Sequence, residues 1–121
     1  MSSEPPGEVR ASPILPVRDL EAALEHYAAM GFVVSRWSDD YGFAAWRGLE
    51  LHLLCRPDHD PERTAAAVFL HVADADEVGR AWGSTAGTTA PTDRPWGVRE
   101  GKHVDPDGNL LRFGGPIPSA G

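Results

Sequence analysis

Glu50 and His52 stand two residues apart in the run Leu49-Glu50-Leu51-His52-Leu53-Leu54. In an extended chain successive side chains point to opposite faces, so Leu49, Leu51 and Leu53 face one way and Glu50, His52 and Leu54 the other. A carboxylate beside an imidazole on one face can hold a proton, move one, or hydrogen-bond a ligand. The other four histidines are expected to be structural or superficial. His26 lies on a predicted helix, on its flank or surface. His59 sits between Asp58 and Asp60 in an acidic loop expected to be solvated. His71 shares the face of Phe69 by alternation, and His103 precedes a turn. No two of the five have metal-ligand spacing. Cys55, the single cysteine, has no evident base beside it and forms no intramolecular disulfide. Gly114-Gly115 lacks the pattern of a phosphate loop.

Aromatic side chains are the second resource. Of four tryptophans, Trp82 falls on a predicted helix with Val78 and reads as core, whereas Trp37, Trp46 and Trp96 lie in or beside strands. Tyr41, Phe43 and Phe69 occupy strand or turn positions, where they either line a cavity or fill the core. Flat rings stack on planar ligands, and nearby carboxylates attract their cationic parts.

The elements that must position these groups read in order. Ser12 to Val17, with two prolines, suits an edge strand. Asp19 is an N-cap for a helix over Leu20 to Met30, with Leu20, Ala23, Leu24, Tyr27 and Ala28 on one face and Gly31 past its end. Strands follow over Phe32–Trp37, Phe43–Arg47 and Leu49–Arg56, with turns at Asp39-Asp40 and Arg47-Gly48 and a loop over Pro57–Pro61. The second half repeats the order. Ala67–Val72 reads as a strand, Asp74 or Asp76 caps a helix to about Gly83, and Ser84–Pro95 reads as a long Thr-, Pro- and Gly-rich linker. Trp96–Val104 and Asn109–Gly114 are strands joined at Asp105-Pro106-Asp107-Gly108. Val17-Arg18-Asp19-Leu20 and Val72-Ala73-Asp74-Ala75 mark equivalent strand-to-helix junctions, so two βαβββ units in one α+β domain are expected.

The 121 residues suffice for one such domain, with module one over about 11–57, module two over about 65–116, and residues 1–10 mobile. The net charge of −7 disfavours nucleic-acid partners and favours cationic ligands at long range. No apolar run is long enough to span a membrane and the N-terminus lacks the apolar stretch of a signal peptide, so the expected location is the cytoplasm.

The segment VRDLEAALEHYAAMGF is similar to the opening of the glyoxalase and bleomycin-resistance superfamily, and DPDGNLLRF resembles its closing hairpin. Pro95-Trp96-Gly97 ahead of that hairpin, and LELHLLCRPDHDP, resemble the bleomycin resistance proteins specifically. The resemblance spans roughly residues 11–116. It implies the vicinal-oxygen-chelate superfold and a module-swapped homodimer with two ligand grooves at its interface. Metal enzymes of the superfold carry His, Glu or Gln ligands at positions that fall here on Ser12, Ala67 and Arg112, with a fourth on the strand of Glu50 and His52. Ser is a poor ligand, Ala offers none and Arg stays protonated, so no metal or other cofactor is expected. The implied function is sequestration, without chemical change, of a bleomycin-type or other aromatic natural-product antibiotic. The implied groove residues are Trp37, Tyr41, Phe43, Trp46, Glu50, His52, Phe69, Trp96, Gly97 and Arg112, with Trp96 the leading stacking candidate. Arg99, Lys102 and Arg112 add positive charge that suits a strictly cationic ligand less well. A metal-independent isomerase, cyclase or lyase using Glu50, His52 and Arg112 is the alternative, and a module with no small ligand is a third reading.

Overall fold

Asp19 starts the first helix as its position predicts: its carboxylate accepts from the Ala22 N–H at 3.1 Å, satisfying a donor that has no partner inside the helix. In the computed structural model, which describes residues 7–119, helix α1 spans Leu20–Ala29 and buries Leu20, Ala23, Leu24 and Tyr27. The segment expected to be mobile, 1–10, lies outside the described residues over 1–6. Gly31, at φ +101°, turns the chain away from the helix. Around α1 stand β1 (Ile14–Val17), β2 (Val33–Arg36), β3 (Tyr41–Trp46) and β4 (Leu49–Cys55). Arg47 and Gly48, both at positive φ, make the two-residue turn that pairs Trp46 with Leu49. The sheet order is β1-β4-β3-β2, with β1 parallel to β4 and the other pairs antiparallel.

The second half builds β5 (Ala67–His71), α2 (Ala75–Trp82), β6 (Thr88–Asp93), β7 (Val98–Val104) and β8 (Leu110–Pro116). Its sheet, β5-β8-β7-β6, has the same plan as the first. Asp74, rather than Asp76, caps α2 by accepting from Glu77 N–H at 3.2 Å. The expected linker 84–95 is corrected: it contains β6, which pairs antiparallel with β7 through an irregularity between Thr89 and Thr92. Its sequence, TTAPTD, lacks an apolar alternation because only Pro91 is buried. An edge strand tolerates proline and an interrupted ladder. Pro91 packs on α2 so closely that a Cβ on Gly79 would lie 2.8 Å from its Cδ. The fold is therefore α+β, two βαβββ units.

Both sheets turn one face to a shared core in which Trp82, fully buried, touches Phe32, Trp46 and Phe113. Hydrogen bonds join the units at the DPDGN turn. Asp105 accepts from Tyr27 Oη at 2.6 Å and, within the turn, from the backbone of Asp107 and Asn109 at 2.9 Å each. Arg18 donates to Asp107 through its backbone N–H and its Nε, and Asn109 donates to the Pro16 carbonyl. One expectation for the histidines is borne out and one corrected here. His26 is a half-buried flank residue of α1, with its Nε2 2.9 Å from Nε2 of fully buried His103. His59 is not simply solvated, since its Nε2 bonds the Asp107 carbonyl at 2.8 Å.

Candidate ligand-binding face

The face of the first sheet turned away from α1 carries the chemistry. Register places Phe43 beside His52, Tyr41 beside Leu54 and Ala45 beside Glu50, while Ile14 of β1 flanks His52 on its other side. Paired residues share a face, so Ile14, Tyr41, Phe43, Glu50 and His52 form one surface. Tyr41, Phe43 and His52 meet edge to face with ring centroids 4.9–5.7 Å apart. A hydrogen-bonded chain crosses them: Tyr41 Oη lies 2.7 Å from His52 Nδ1, and His52 Nε2 lies 2.9 Å from Glu50 Oε1. Trp37, 76% exposed, stands at the rim of an open pocket of about 570 Å³ that Ser38, Asp40, Tyr41, Phe43 and His52 complete. Ile14, 57% exposed, was not singled out by the sequence, because only the parallel register of β1 on β4 sets it beside His52.

Trp46 is not part of this surface. Residues 42, 44 and 46 of β3 face the core side, opposite Tyr41 and Phe43, and the Trp46 ring stacks on Phe32. It lines a different cleft of about 590 Å³ between the two units, with Leu49, Val68, Leu70, Val72 and Val78. That cleft is apolar on those walls and has the Arg47–Glu77 ion pair among its lining residues.

The second sheet presents a corresponding face with different chemistry. Phe69, Arg112 and Lys102 are register neighbours across β5, β8 and β7, and His71, Gly114 and Glu100 form the next row. Phe69 lies across Gly114, where a Cβ would come within 2.8 Å of its ring, and sits 4.9 Å from the His71 ring. Glu100 is buried, with Arg94 Nε at 3.7 Å and Arg112 Nη1 at 3.8 Å. This buried carboxylate escaped sequence reading because its two partners come from two other segments, one after β6 and one on β8. Trp96 is 64% exposed at the β6–β7 turn, with the Arg94 guanidinium 5.8 Å from its ring centroid. Gly97, at φ +92°, is what that turn requires. Arg99, expected to add charge to the groove, points to the helix side and pairs with Asp76 and Asp93 at 2.8 and 2.9 Å.

No protein-family model and no curated protein matches the chain. Solved structures do. A bleomycin resistance determinant encoded on the transposon Tn5 is 26% identical, covers 92% of this chain and all of its own, and superposes with a TM-score of 0.82. A bleomycin-binding protein complexed with bleomycin is 26% identical over 91% of this chain and all of its own, with a TM-score of 0.81. The chain has the fold of the bleomycin resistance family. The bleomycin-binding protein of Streptomyces verticillus, complexed with copper(II)-bleomycin, shares that fold at 20% identity and a TM-score of 0.74, covering 88% of this chain and 94% of its own. Three of the four positions matching the metal enzymes' ligands do not fit a divalent ion; the fourth lies on the strand of Glu50 and His52. Ser12 precedes β1, Ala67 opens β5 with no donor, and Arg112 presents a guanidinium beside Glu100.

Proposed function

We propose that this chain binds a bleomycin-type or other aromatic natural-product antibiotic and lowers its free concentration without making or breaking a bond. The observation that carries the reading is the match, over nearly the whole chain, to a bleomycin-binding protein solved with bleomycin. Exposed aromatic walls of the kind such a ligand needs support it. Trp37, Phe43, Phe69 and Trp96 stack on planar rings. Tyr41, His52 and Glu50 bond polar groups on one wall and Arg112 on the other, Gly97 shapes the turn under Trp96, and Trp46 contributes only from beneath. The two walls belong to different sheets, and the working form is a module-swapped homodimer whose grooves pair them. Exposed Ile14, Val33 and Phe69 support an interface of that kind. No helix among the described residues is long and apolar enough to cross a membrane; the reading places the protein in the cytoplasm.

Exposed Trp37 and Trp96 give a direct test. Titration with metal-free bleomycin, then with other aromatic antibiotics, is expected to quench tryptophan fluorescence saturably near one ligand per subunit, with the drug recovered unchanged. A flat response across the panel overturns the reading. The Glu50–His52–Tyr41 chain favours one alternative, metal-independent acid–base catalysis. That reading requires a ligand recovered altered, and turnover lost in His52→Ala.

A further inference from the structure

We infer that the Glu50–His52–Tyr41 chain is a polarity filter, which makes the pocket beside Trp37 selective for aromatic ligands that carry an N–H donor. The inference deepens the binding reading above and rests on it only for the choice of ligand class. The Glu50 carboxylate can only accept, so in the neutral imidazole the proton belongs on Nε2, 2.9 Å from Glu50 Oε1. The opposite tautomer would set two lone pairs against each other at that distance. With Nε2 protonated, Nδ1 is a bare acceptor, and among the described residues the hydrogen within reach is that of Tyr41 Oη, at 2.7 Å. The phenol proton is then committed, and Tyr41 faces the pocket with lone pairs alone.

The surroundings keep this chain in place. Phe43 packs its edge against both the Tyr41 and His52 rings, at 5.7 and 4.9 Å between centroids. His52 is held across the ladder between Phe43 and Ile14, whose apolar side chains offer no competing hydrogen bond. Asp40, the other charged group lining the pocket, is also an acceptor. The pocket is an aromatic box whose edge at Tyr41 only accepts, while Ser38, whose Oγ accepts from the Asp40 N–H at 3.2 Å, and the indole N–H of Trp37 complete its polar lining. An aromatic amine, amide or pyrrole-type N–H meets an open lone pair there. A ring oxygen or carbonyl at the same spot meets Tyr41 oxygen, and both are left unpaired.

The first test needs no ligand. Nitrogen chemical shifts of His52 at about pH 8, where an ordinary imidazole is neutral, are expected to show the Nε2–H tautomer with an unprotonated, hydrogen-bonded Nδ1. The Nδ1–H tautomer overturns the inference. The second test compares indole with benzofuran, planar bicycles alike in shape but differing in the N–H, by NMR titration of the Tyr41, Phe43 and His52 signals. The full-length protein is expected to bind indole roughly five- to tenfold more tightly, the worth of one neutral hydrogen bond. In the double variant Tyr41→Phe/His52→Phe, which removes both acceptors, the ratio falls to about one, with the aromatic wall retained. Equal binding, or a preference for benzofuran, overturns the filter, as does failure of both to bind. If bleomycin titrates while the two probes are not distinguished, the filter alone fails. If the tautomer and the probe preference hold while no antibiotic binds, sequestration fails and the filter stands.

Discussion

His103 shows how a residue that looks incidental becomes a determinant of stability. Its Nδ1 meets Thr88 Oγ1 at 2.8 Å and its Nε2 lies 2.9 Å from His26 Nε2, so a single proton fits between the two rings. Burial, and then the charge of His26, push the His103 pKa down to about 4. Burial also lowers His26, against the opposing pull of Asp105 and Asp107. The unfolded chain takes up the His103 proton near pH 6.5, the folded chain only near 4, so over that window the unfolded state binds more. Stability is complete above about pH 6.5, falls as the pH drops toward 4, and levels below it. Urea denaturation across this range is expected to show a loss of roughly 2–3 kcal/mol, and His103→Gln should flatten that slope. Tyr27→Phe probes the neighbouring bond. Burial, then Asp105, raise the Tyr27 pKa well above its usual value, so the phenol stays a donor. Its loss should cost roughly 1–3 kcal/mol, read as a lower urea midpoint at constant slope. At this scale the sequence exposed the Glu50–His52 pair, because alternation alone places them together. It did not expose Tyr41 on Nδ1, because that contact needs the register of β3 against β4.

At the scale of elements, β6 is the instructive case. Strand patterns are read from alternating apolar residues, and β6 has one buried residue in six, Pro91. Its place is set by partners: backbone pairing to β7 on one side and the surface of α2 beneath. The repeat of βαβββ already demanded a strand there, a stronger signal than its composition. Gly101 on β7 makes the fit testable, since a Cβ there would come within 2.6 Å of the Phe113 ring and 2.8 Å of the Thr89 carbonyl. Gly101→Ala should cost roughly 1–3 kcal/mol by overpacking. Hydrogen exchange should show protection lost first from the amides of Thr88–Asp93; uniform loss across both sheets would contradict this account of β6. The helices were legible nearly to the residue because their determinants are local: Asp19 and Asp74 as caps, Gly31 past the end, and a buried stripe at spacing three and four.

For the whole molecule, the DPDGN turn joins one βαβββ unit to the other. Asp105 holds its own turn and receives Tyr27, Arg18 reaches Asp107, and Trp82 sits in a core supplied by both units. Removal of Asp105 strands a buried phenol and two backbone N–H groups, so Asp105→Ala should cost on the order of 3 kcal/mol or more. Calorimetry should still show one transition, because neither unit keeps a complete core when the other opens. Two separated transitions would show the units to be independent. The sequence by itself determined the two helices, the hairpin turns, the internal repeat and which strand residues share a face. Caps, positive-φ glycines and alternation act within a few residues and need no partner. Only the tertiary structure decided that His26 meets His103, that Tyr41 closes on His52, that Trp46 turns to the core and that Arg99 faces the helix side. Each of these depends on strand register or on the docking of one unit against the other. Register and docking are set by summing many weak contacts between residues distant in sequence, so no local pattern of residues records them.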